Sequence, residues 1–415
     1  MNTPPSPAST PPKIYKTLLL VWPLLMGVAM IMVGNGLQGT LLGLRADLEG
    51  FPVFATGIVM SLYYVGFVLG CNLAPRAIAS VGHIRVFAAV ASLASVTILL
   101  HGVFINIYLW GVVRVISGMS FAGMFIVAES WLNNIATNKR RGQIFSLYLF
   151  VIYAGLFSGQ FLINLAPLEE IDLFVLVSVL VSLSLMPLVL ANKPAPGYEA
   201  PEHLPFKKLM KRSPLAMAGV FCSGLCAGTV LGIGPVYAHE IGFKTSQIAL
   251  FIASYITGCG LIPLFIGWLS DRVDRRQIII AVTFFGFVLA NLSTIIPSLY
   301  AFIFLFGGVT ASIYSICIAY MNDKIKREQI LSATSSLILF NSMGACLGPV
   351  LMGLLLQKSG PFFFFPTLSG ALLFVCVLGA FRTFTGKDVD VSEQSDFIPI
   401  PARSSPDILN IVEKD

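Results

Sequence analysis

Two charged residues interrupt one of the long apolar stretches of this sequence. Arg114 and Glu129 lie in the run from residue 107 to 131, and Glu129 is the one acidic residue that we place inside the membrane. A charged group in a bilayer is costly unless it is paired or hydrated, so it marks a candidate functional site. Fifteen helical positions correspond to roughly 22 Å at about 1.5 Å per residue, so the two side chains cannot pair directly.

Each of the two residues allows two interpretations. Glu129 either carries a proton, which it takes up and releases as its exposure alternates, or forms a structural or gating ion pair with a cytoplasmic arginine or lysine. Arg114 lies near the outer end of its run, so it either acts within the membrane or extends to the interface. Both residues are candidates for proton coupling or gating.

Uncharged polar residues recur in the other apolar runs and predict a lined cavity. Amides, hydroxyls and tyrosines of this kind suit a neutral, zwitterionic or amphipathic solute better than a polyanion. Any one of them could instead join two helices by a hydrogen bond. The candidate cavity residues are Asn35, Gln38, Tyr153, Gln160, Asn164, Ser312, Ser315 and Asn341.

The elements that carry these residues follow from the composition. Of 415 residues, 56% are hydrophobic and only 11% are charged, which excludes a soluble globular enzyme and a nucleic-acid-binding protein. Runs of about 20 apolar residues are typical of membrane-spanning helices and not of β-barrel strands. The runs predict an all-α polytopic membrane protein with twelve transmembrane helices. They lie at residues 17–43, 53–74, 84–103, 107–131, 143–165, 171–191, 215–238, 246–269, 277–296, 298–321, 332–357 and 361–384.

One polar insert divides these spans six and six, which predicts two pseudo-symmetric six-helix bundles. We expect a disordered N-terminus at 1–16, bundles at 17–191 and 215–384, a cytoplasmic linker at 192–214 and a mostly disordered tail at 385–415. Placing both termini in the cytoplasm puts 22 of the 26 lysines and arginines on the cytoplasmic side. This asymmetry is the one that sets the orientation of membrane proteins.

The two halves also repeat one another at fixed offsets. Tyr63 corresponds to Tyr255 at an offset of 192 residues, and Gly155 corresponds to Gly344 at an offset of 189. Small residues four apart allow two helices to approach closely. The residues predicted to pack helices in this way are Gly118, Gly155, Gly159, Gly344, Gly348 and Pro349.

The most specific local motif lies between spans eight and nine. It consists of Gly267, Asp271, Arg272, Arg275 and Arg276. The spacing closely resembles the Gly-x-x-x-Asp-Arg-x-Gly-Arg-Arg loop of the major facilitator superfamily, although an aspartate replaces the second glycine. Arg114 and Gly118 in span four look like that superfamily's Arg-x-x-x-Gly signature, whose arginine is implicated in proton coupling in several members.

The resemblance covers residues 17 to 384, and the segment after Glu129 is similar to a poorly characterised bacterial branch. It implies secondary active transport of a small organic solute across the cytoplasmic (inner) membrane by alternating access, coupled to protons. Two alternatives stay open. One is an efflux antiporter for toxic compounds, although Gln160 replaces a proline that drug antiporters of the superfamily carry. The other is a membrane receptor that keeps the fold without transporting.

Other functional classes lack their motifs in this sequence. There is no Gly-x-x-x-x-Gly-Lys-[Ser/Thr] loop, so we expect no ATP hydrolysis. The four histidines are scattered and the seven cysteines lie in apolar runs, so we expect no metal and no cofactor. The predicted partners are the lipid bilayer, a small-molecule substrate and protons, and not nucleic acid. We expect a monomer without enzymatic activity.

Overall fold

The computed structural model describes residues 14–135, 141–189, 204–326 and 329–385. Over these residues the chain is helical, without strands. Its helices are α1 (Ile14–Leu48), α2 (Val53–Val81), α3 (His83–Val103), α4 (Ile107–Ile135), α5 (Arg141–Phe161), α6 (Asp172–Leu183), α7 (Leu185–Val189), α8 (Phe206–Arg212), α9 (Pro214–Glu240), α10 (Thr245–Ser270), α11 (Arg275–Ile295), α12 (Tyr300–Asn322), α13 (Ile330–Ser359) and α14 (Phe364–Thr385).

Twelve helical segments in the described ranges are long and apolar enough to cross a membrane, which confirms the predicted number of spans. The sixth span, Asp172–Val189, consists of α6 and α7. Most boundaries lie within a few residues of the predicted ones. The predicted N-terminus and tail fall outside the described residues, except for the first residues of α1 and the last residue of α14.

One local prediction needs correction. The second span was predicted to stop at residue 74, before Pro75, but α2 continues through this proline to Val81. Membrane helices tolerate such a proline because neighbouring groups satisfy the backbone carbonyl that it leaves free. The last part of the segment predicted as the linker forms the short basic helix α8.

The packing of the helices repeats between the two six-helix bundles. In the first, α2 packs on α4, α1 on α5, and α3 on α6. The same pairs recur in the second as α10 on α12, α9 on α13, and α11 on α14. The bundles meet where α2 packs against α13 and where α5 packs against α10. The repeat relates α2 to α10 and α5 to α13, so these two contacts are equivalent to each other. This pseudo-symmetry places a cavity between the bundles.

Glycines make the closest crossings within each bundle. A Cβ atom on Gly118 would collide with the carbonyl oxygen of Tyr63, and one on Gly307 with that of Tyr255. These crossings lie at equivalent places, because 307 and 118 are 189 residues apart. The helix pairs can therefore approach this closely only where a side chain is missing.

The other predicted packing residues behave in the same way. Gly155 and Gly159 in α5 press against Met32 and Val33 of α1. Gly344 and Gly348 in α13 press against Phe221 and Leu225 of α9. The carbonyl of Pro349 lies where a Cβ on Gly57 would be, so it helps to bring the two bundles together.

Candidate functional site

A cavity of about 830 Å³, including its open side, lies between the two bundles. Of the described residues that line it, four are tyrosines, four are small polar or thiol residues, the rest are apolar, and none is charged. The lining residues are Tyr63, Tyr64, Phe67, Ile152, Tyr153, Leu156, Ser223, Ala227, Leu231, Tyr255, Ile256, Cys259, Ala311, Asn341, Ser342 and Ala345. Both bundles therefore contribute to one uncharged, aromatic chamber.

The two repeat-related tyrosines line this cavity but have different surroundings. The hydroxyl of Tyr255 lies 3.0 Å from that of Thr310, so its position is held from within the second bundle. The ring of Tyr63 instead lies beneath the guanidinium of Arg114, which is 4.7 Å from the ring centroid. A positive charge therefore lies behind one wall of the cavity, on the side of the first bundle.

Arg114 is buried inside the protein. Only 7% of the residue is exposed, and its Nη2 lies 3.7 Å from the sulfur of Met60. The cation–π contact with Tyr63 compensates part of the cost of burying the charge. The charge is therefore enclosed by protein groups, and its role in coupling or gating stays a prediction.

Glu129 is fully buried at the predicted cytoplasmic end of α4. The hydroxyl of Tyr148, from α5, donates a hydrogen bond of 2.9 Å to its Oε1. The carboxyl is therefore held by a phenol from a neighbouring helix of the same bundle.

Two of the eight predicted cavity residues, Tyr153 and Asn341, line the chamber. Gln160 does not line the chamber, because its amide is hydrogen bonded to α1. Its Nε2 donates to the carbonyl of Gly36 at 2.6 Å, and its Oε1 accepts from the hydroxyl of Thr40 at 2.6 Å. Asn164 is exposed at the end of α5, where it donates to the carbonyl of Phe161.

The remaining four predicted cavity residues are buried between helices. Gln38 in α1 lies 3.4 Å from the hydroxyl of Ser117 in α4. Ser312 donates to the carbonyl of Gly308, one turn earlier in α12. Ser315 lies near the carbonyl of the residue four positions before it, and Asn35 is also buried away from the chamber.

The predicted loop motif forms a charge cluster at the end of the second bundle. Arg275 is fully buried, and its Nη1 donates to both carboxylate oxygens of Asp323, at 2.7 and 2.6 Å. Its Nη2 lies 3.5 Å from Asp271. Arg276 donates to the hydroxyl of Tyr320 and to the carbonyl of Arg382. The cluster therefore fastens α11 to the ends of α10, α12 and α14.

The other two motif residues stay within α10 and its end. Arg272 donates to the carbonyl of Trp268 and stacks on that indole, 4.0 Å from the ring centroid. The carbonyl of Gly267 accepts the backbone N–H of Asp271, which closes the last turn of the helix. Both contacts are local and shape the turn between α10 and α11.

Several residues of the site were not among the predicted ones. Tyr64, Tyr255, Ser223 and Cys259 line the chamber. The repeat offers a signal for one of them, because Tyr255 holds the position of Tyr63 in the second half. Asp323 was also missed, since in the sequence it resembles any other acidic residue at the end of a span.

Comparisons with known proteins agree with this geometry. The family model described as Major Facilitator Superfamily matches residues 24–254 and 216–406. An uncharacterized MFS-type transporter of Enterobacter sp. (strain 638) is 26% identical over 361 residues, which cover 86% of this chain and 94% of that protein. The uncharacterized MFS-type transporter YcaD of Escherichia coli (strain K12 / DH10B) is 24% identical over 339 residues, which cover 81% of this chain and 88% of that protein.

Solved structures share the fold at lower identity. The nucleoside transporter NupG superposes with a TM-score of 0.71 at 14% identity, over 89% of this chain and all of NupG. A bacterial homologue of the human lysosomal transporter Spinster, in an inward-facing and occupied conformation, gives a TM-score of 0.68 at 14% identity. The superposition covers 94% of this chain and 99% of the chain of that homologue.

Proposed function

The chain belongs to the Major Facilitator Superfamily and is a multi-pass membrane transporter, and we propose that it carries a small neutral or amphipathic organic solute across the cytoplasmic membrane. In this proposal the bundles at 17–191 and 215–384 alternate access to the chamber, while the segment at 192–214 links them. The chamber shared by both bundles is the observation that supports this function most directly. Binding sites of transporters with internal repeats lie at such an interface.

The chemistry of the chamber supports the proposed class of solute. Tyrosine rings offer flat apolar walls, and the hydroxyls and the amide oxygen of Asn341 offer hydrogen bonds without charge, while the Nδ2 of Asn341 donates to the carbonyl of Val220. Among the described residues no charged side chain lines it, so a polyanion would lose its hydration without gaining a counter-ion in the lining. A planar solute with a few polar groups fits these walls best.

We propose that transport is coupled to protons through Glu129. Its carboxyl is fully buried and accepts a hydrogen bond from Tyr148 of α5, a helix that also packs against α10 of the opposite bundle. A change in the contact between the bundles that moves α5 therefore changes the surroundings of this carboxyl. Such a change is what a carrier needs in order to load a proton on one side and release it on the other.

Export of toxic amphipathic compounds is a second candidate for the same chamber. Its aromatic and apolar lining supports this direction of transport, because such walls accept many amphipathic shapes. Gln160, at the position of the drug-antiporter proline, is hydrogen bonded to α1 and argues against it. Sensitivity of a deletion strain to many unrelated drugs would favour export, and sensitivity to none would favour import of a specific solute.

A thermal-shift screen of the purified protein tests the proposed class of solute. The panel contains nucleosides, other neutral aromatic metabolites, amphipathic drugs and polyanions. A ligand at 100 times its Kd stabilises the native state by about 2.7 kcal/mol, which is readily detected. We expect neutral or amphipathic compounds to raise the melting temperature and polyanions to leave it unchanged.

A matched pair of amide variants links each hit to the chamber. Asn341→Ala removes an amide from the wall, whereas Asn164→Ala removes an exposed one outside it. We expect the first to weaken binding about tenfold, the value of one lost hydrogen bond, and the second to leave it unchanged. Hits confined to polyanions, or equal affinity in both variants, would contradict the proposal.

A further inference from the structure

The short helix α8 forms one side of a surface groove, away from the chamber. The groove has a volume of about 570 Å³ including its open side, and its residues are Phe206, Lys207, Met210, Lys211, Met217 and Phe340. Its other side consists of residues from α9 and α13. The groove therefore combines an apolar floor with two ammonium groups at its edge.

Helix α8 is fastened firmly to the second bundle. Leu209 points inward and is only 1% exposed. The backbone N–H of Leu204, just before the helix, donates to the carbonyl of Ser332 in α13, and the hydroxyl of Ser336 donates to the carbonyl of Leu204. The ring of Phe206 lies 5.6 Å from that of Phe340. These contacts hold the groove open as a fixed feature of the surface.

The charges of α8 point to an anionic occupant. The helix has the sequence Phe-Lys-Lys-Leu-Met-Lys-Arg and contains no acidic residue. Phe206 and Met210 remain 38% and 43% exposed beside the lysines. A helix with exposed apolar side chains and basic neighbours is typical of the membrane–water interface. The sequence predicts that this end of the bundle faces the cytoplasm, where anionic lipids attract basic segments.

We propose that this groove binds one anionic phospholipid of the cytoplasmic leaflet. Lys207 and Lys211, four residues apart on one face of α8, hold the phosphate of the headgroup. An acyl chain lies along Met210, Met217 and Phe340. Lysine suits this role because its ammonium group can donate to several phosphate oxygens from a flexible side chain.

Helix α13 contributes residues both to the groove and to the transport chamber. Phe340 lines the groove and the next residue of α13, Asn341, lines the chamber. Phe340 also contacts Phe221 of α9, with ring centroids 5.4 Å apart. A lipid in the groove therefore rests against the same part of α13 that carries the amide of the chamber wall.

Two double variants of equal charge test the site. Lys207→Gln with Lys211→Gln removes the two lysines of the groove. Lys208→Gln with Arg212→Gln removes the two cations of the adjacent face, which are exposed and do not line it. The full chain of each variant in detergent is titrated with palmitoyl-oleoyl phosphatidylglycerol or phosphatidylcholine, and bound lipid is counted by native mass spectrometry.

Both double variants lose two positive charges, so a difference in lipid binding between them reports the position of the removed residues and not the net charge. We expect the wild type to bind phosphatidylglycerol about 30-fold more tightly than phosphatidylcholine. Each of the two lysines near the surface raises the affinity for the anionic lipid roughly fivefold. The variant that lacks Lys207 and Lys211 should lose this preference, and the variant that lacks Lys208 and Arg212 should keep it within about threefold. Equal losses in both variants would overturn the proposal, because attraction would then be general and not due to a site.

The tail of the chain is the other conceivable occupant, since residues 386–415 contain several acidic side chains. A chain that ends at residue 385 distinguishes the two occupants in the same titration. If the lipid is the occupant, the truncated and full chains bind phosphatidylglycerol equally. If phosphatidylglycerol binds only after truncation, the tail occupies the groove and the lipid proposal is wrong.

Discussion

The two bundles share their helix packing but differ in where they bury charges. In the first bundle, Arg114 and Glu129 are buried within α4, and Arg45 is buried near the end of α1, where it pairs with Glu49 at 2.7 Å. The positions in α12 that correspond to Arg114 and Glu129, 189 residues later, are Ile303 and Ile318. Among the described residues of the second bundle, the buried charges lie at the start of α11, where Arg275 is paired with Asp323.

The acidic and basic residues of this cluster are replaced at the corresponding positions of the first bundle. Ala79 stands where the second bundle has Asp271, and His83 where it has Arg275. The Nε2 of His83 lies 2.9 Å from the hydroxyl of Ser130, a hydrogen-bonding contact with an uncharged group. The comparison suggests a division of roles: close packing is common to both bundles, the first bundle holds the groups suited to transport, and the second holds a structural latch.

The largest expected difference concerns this latch. Arg275→Ala leaves the carboxylate of Asp323, which is only 2% exposed, without its main partner. Removing one member of a buried ion pair lowers the free energy of unfolding by about 3–5 kcal/mol. The equivalent change in the first bundle, His83→Ala, should cost about 1–2 kcal/mol. Thermal unfolding in detergent measures both.

A double variant separates the charge from the packing. Arg275→Gln with Asp323→Asn removes both charges and should recover much of the loss seen with Arg275→Ala. If His83→Ala proved as harmful as Arg275→Ala, the two rims would be equally important and the proposed division of roles would fail.

The next effect tests what the bundles have in common. Gly66→Ala would place a Cβ against the carbonyl of Val115, and Gly258→Ala would place one against that of Phe304. Overpacking of this kind costs about 1–3 kcal/mol, and we expect the same value in both bundles. Gly370→Ala is the matched control, because nothing lies within 4 Å of its added Cβ. A large effect in only one bundle would show that the crossings are not equivalent.

The smallest effect concerns a contact between the bundles. The Nδ1 of His239, at the end of α9, pairs with the carboxylate of Asp47 at the end of α1, and the two residues hold equivalent positions 192 residues apart. His239 is 47% exposed, so His239→Gln should change stability by only about 0–1 kcal/mol. The difference should shrink further at high salt. A larger loss, independent of salt, would make this pair a structural bond.

The sequence predicts the scaffold well because its signals are local or periodic. Long apolar runs indicate the spans, and Gly155 and Gly344 mark crossings through their repeat. Only the extension of α2 beyond Pro75 was unexpected, because that helix continues where proline normally ends one.

The chamber could be predicted only in part. Tyr153 and Asn341 line it, with the Nδ2 of Asn341 donating to the carbonyl of Val220, whereas both ends of the Gln160 amide are bonded to α1. The sequence does not show which neighbouring carbonyls are free to accept, and this decides whether a polar side chain joins helices or faces a solute. Asp323 was missed for a similar reason, because only the folded structure brings it within hydrogen-bonding distance of Arg275.

The central claim is that Glu129 carries the proton, and the pH dependence of ligand binding tests it most directly. The best ligand from the screen is titrated in mildly acidic and in neutral buffer against the wild type, Glu129→Gln and Glu169→Gln. Glu169 is an exposed acid in the loop after α5 and serves as the matched control. We expect affinity to depend on pH in the wild type and in Glu169→Gln, but not in Glu129→Gln, which cannot ionise. An unchanged pH dependence in Glu129→Gln would contradict the account and leave this residue a structural role.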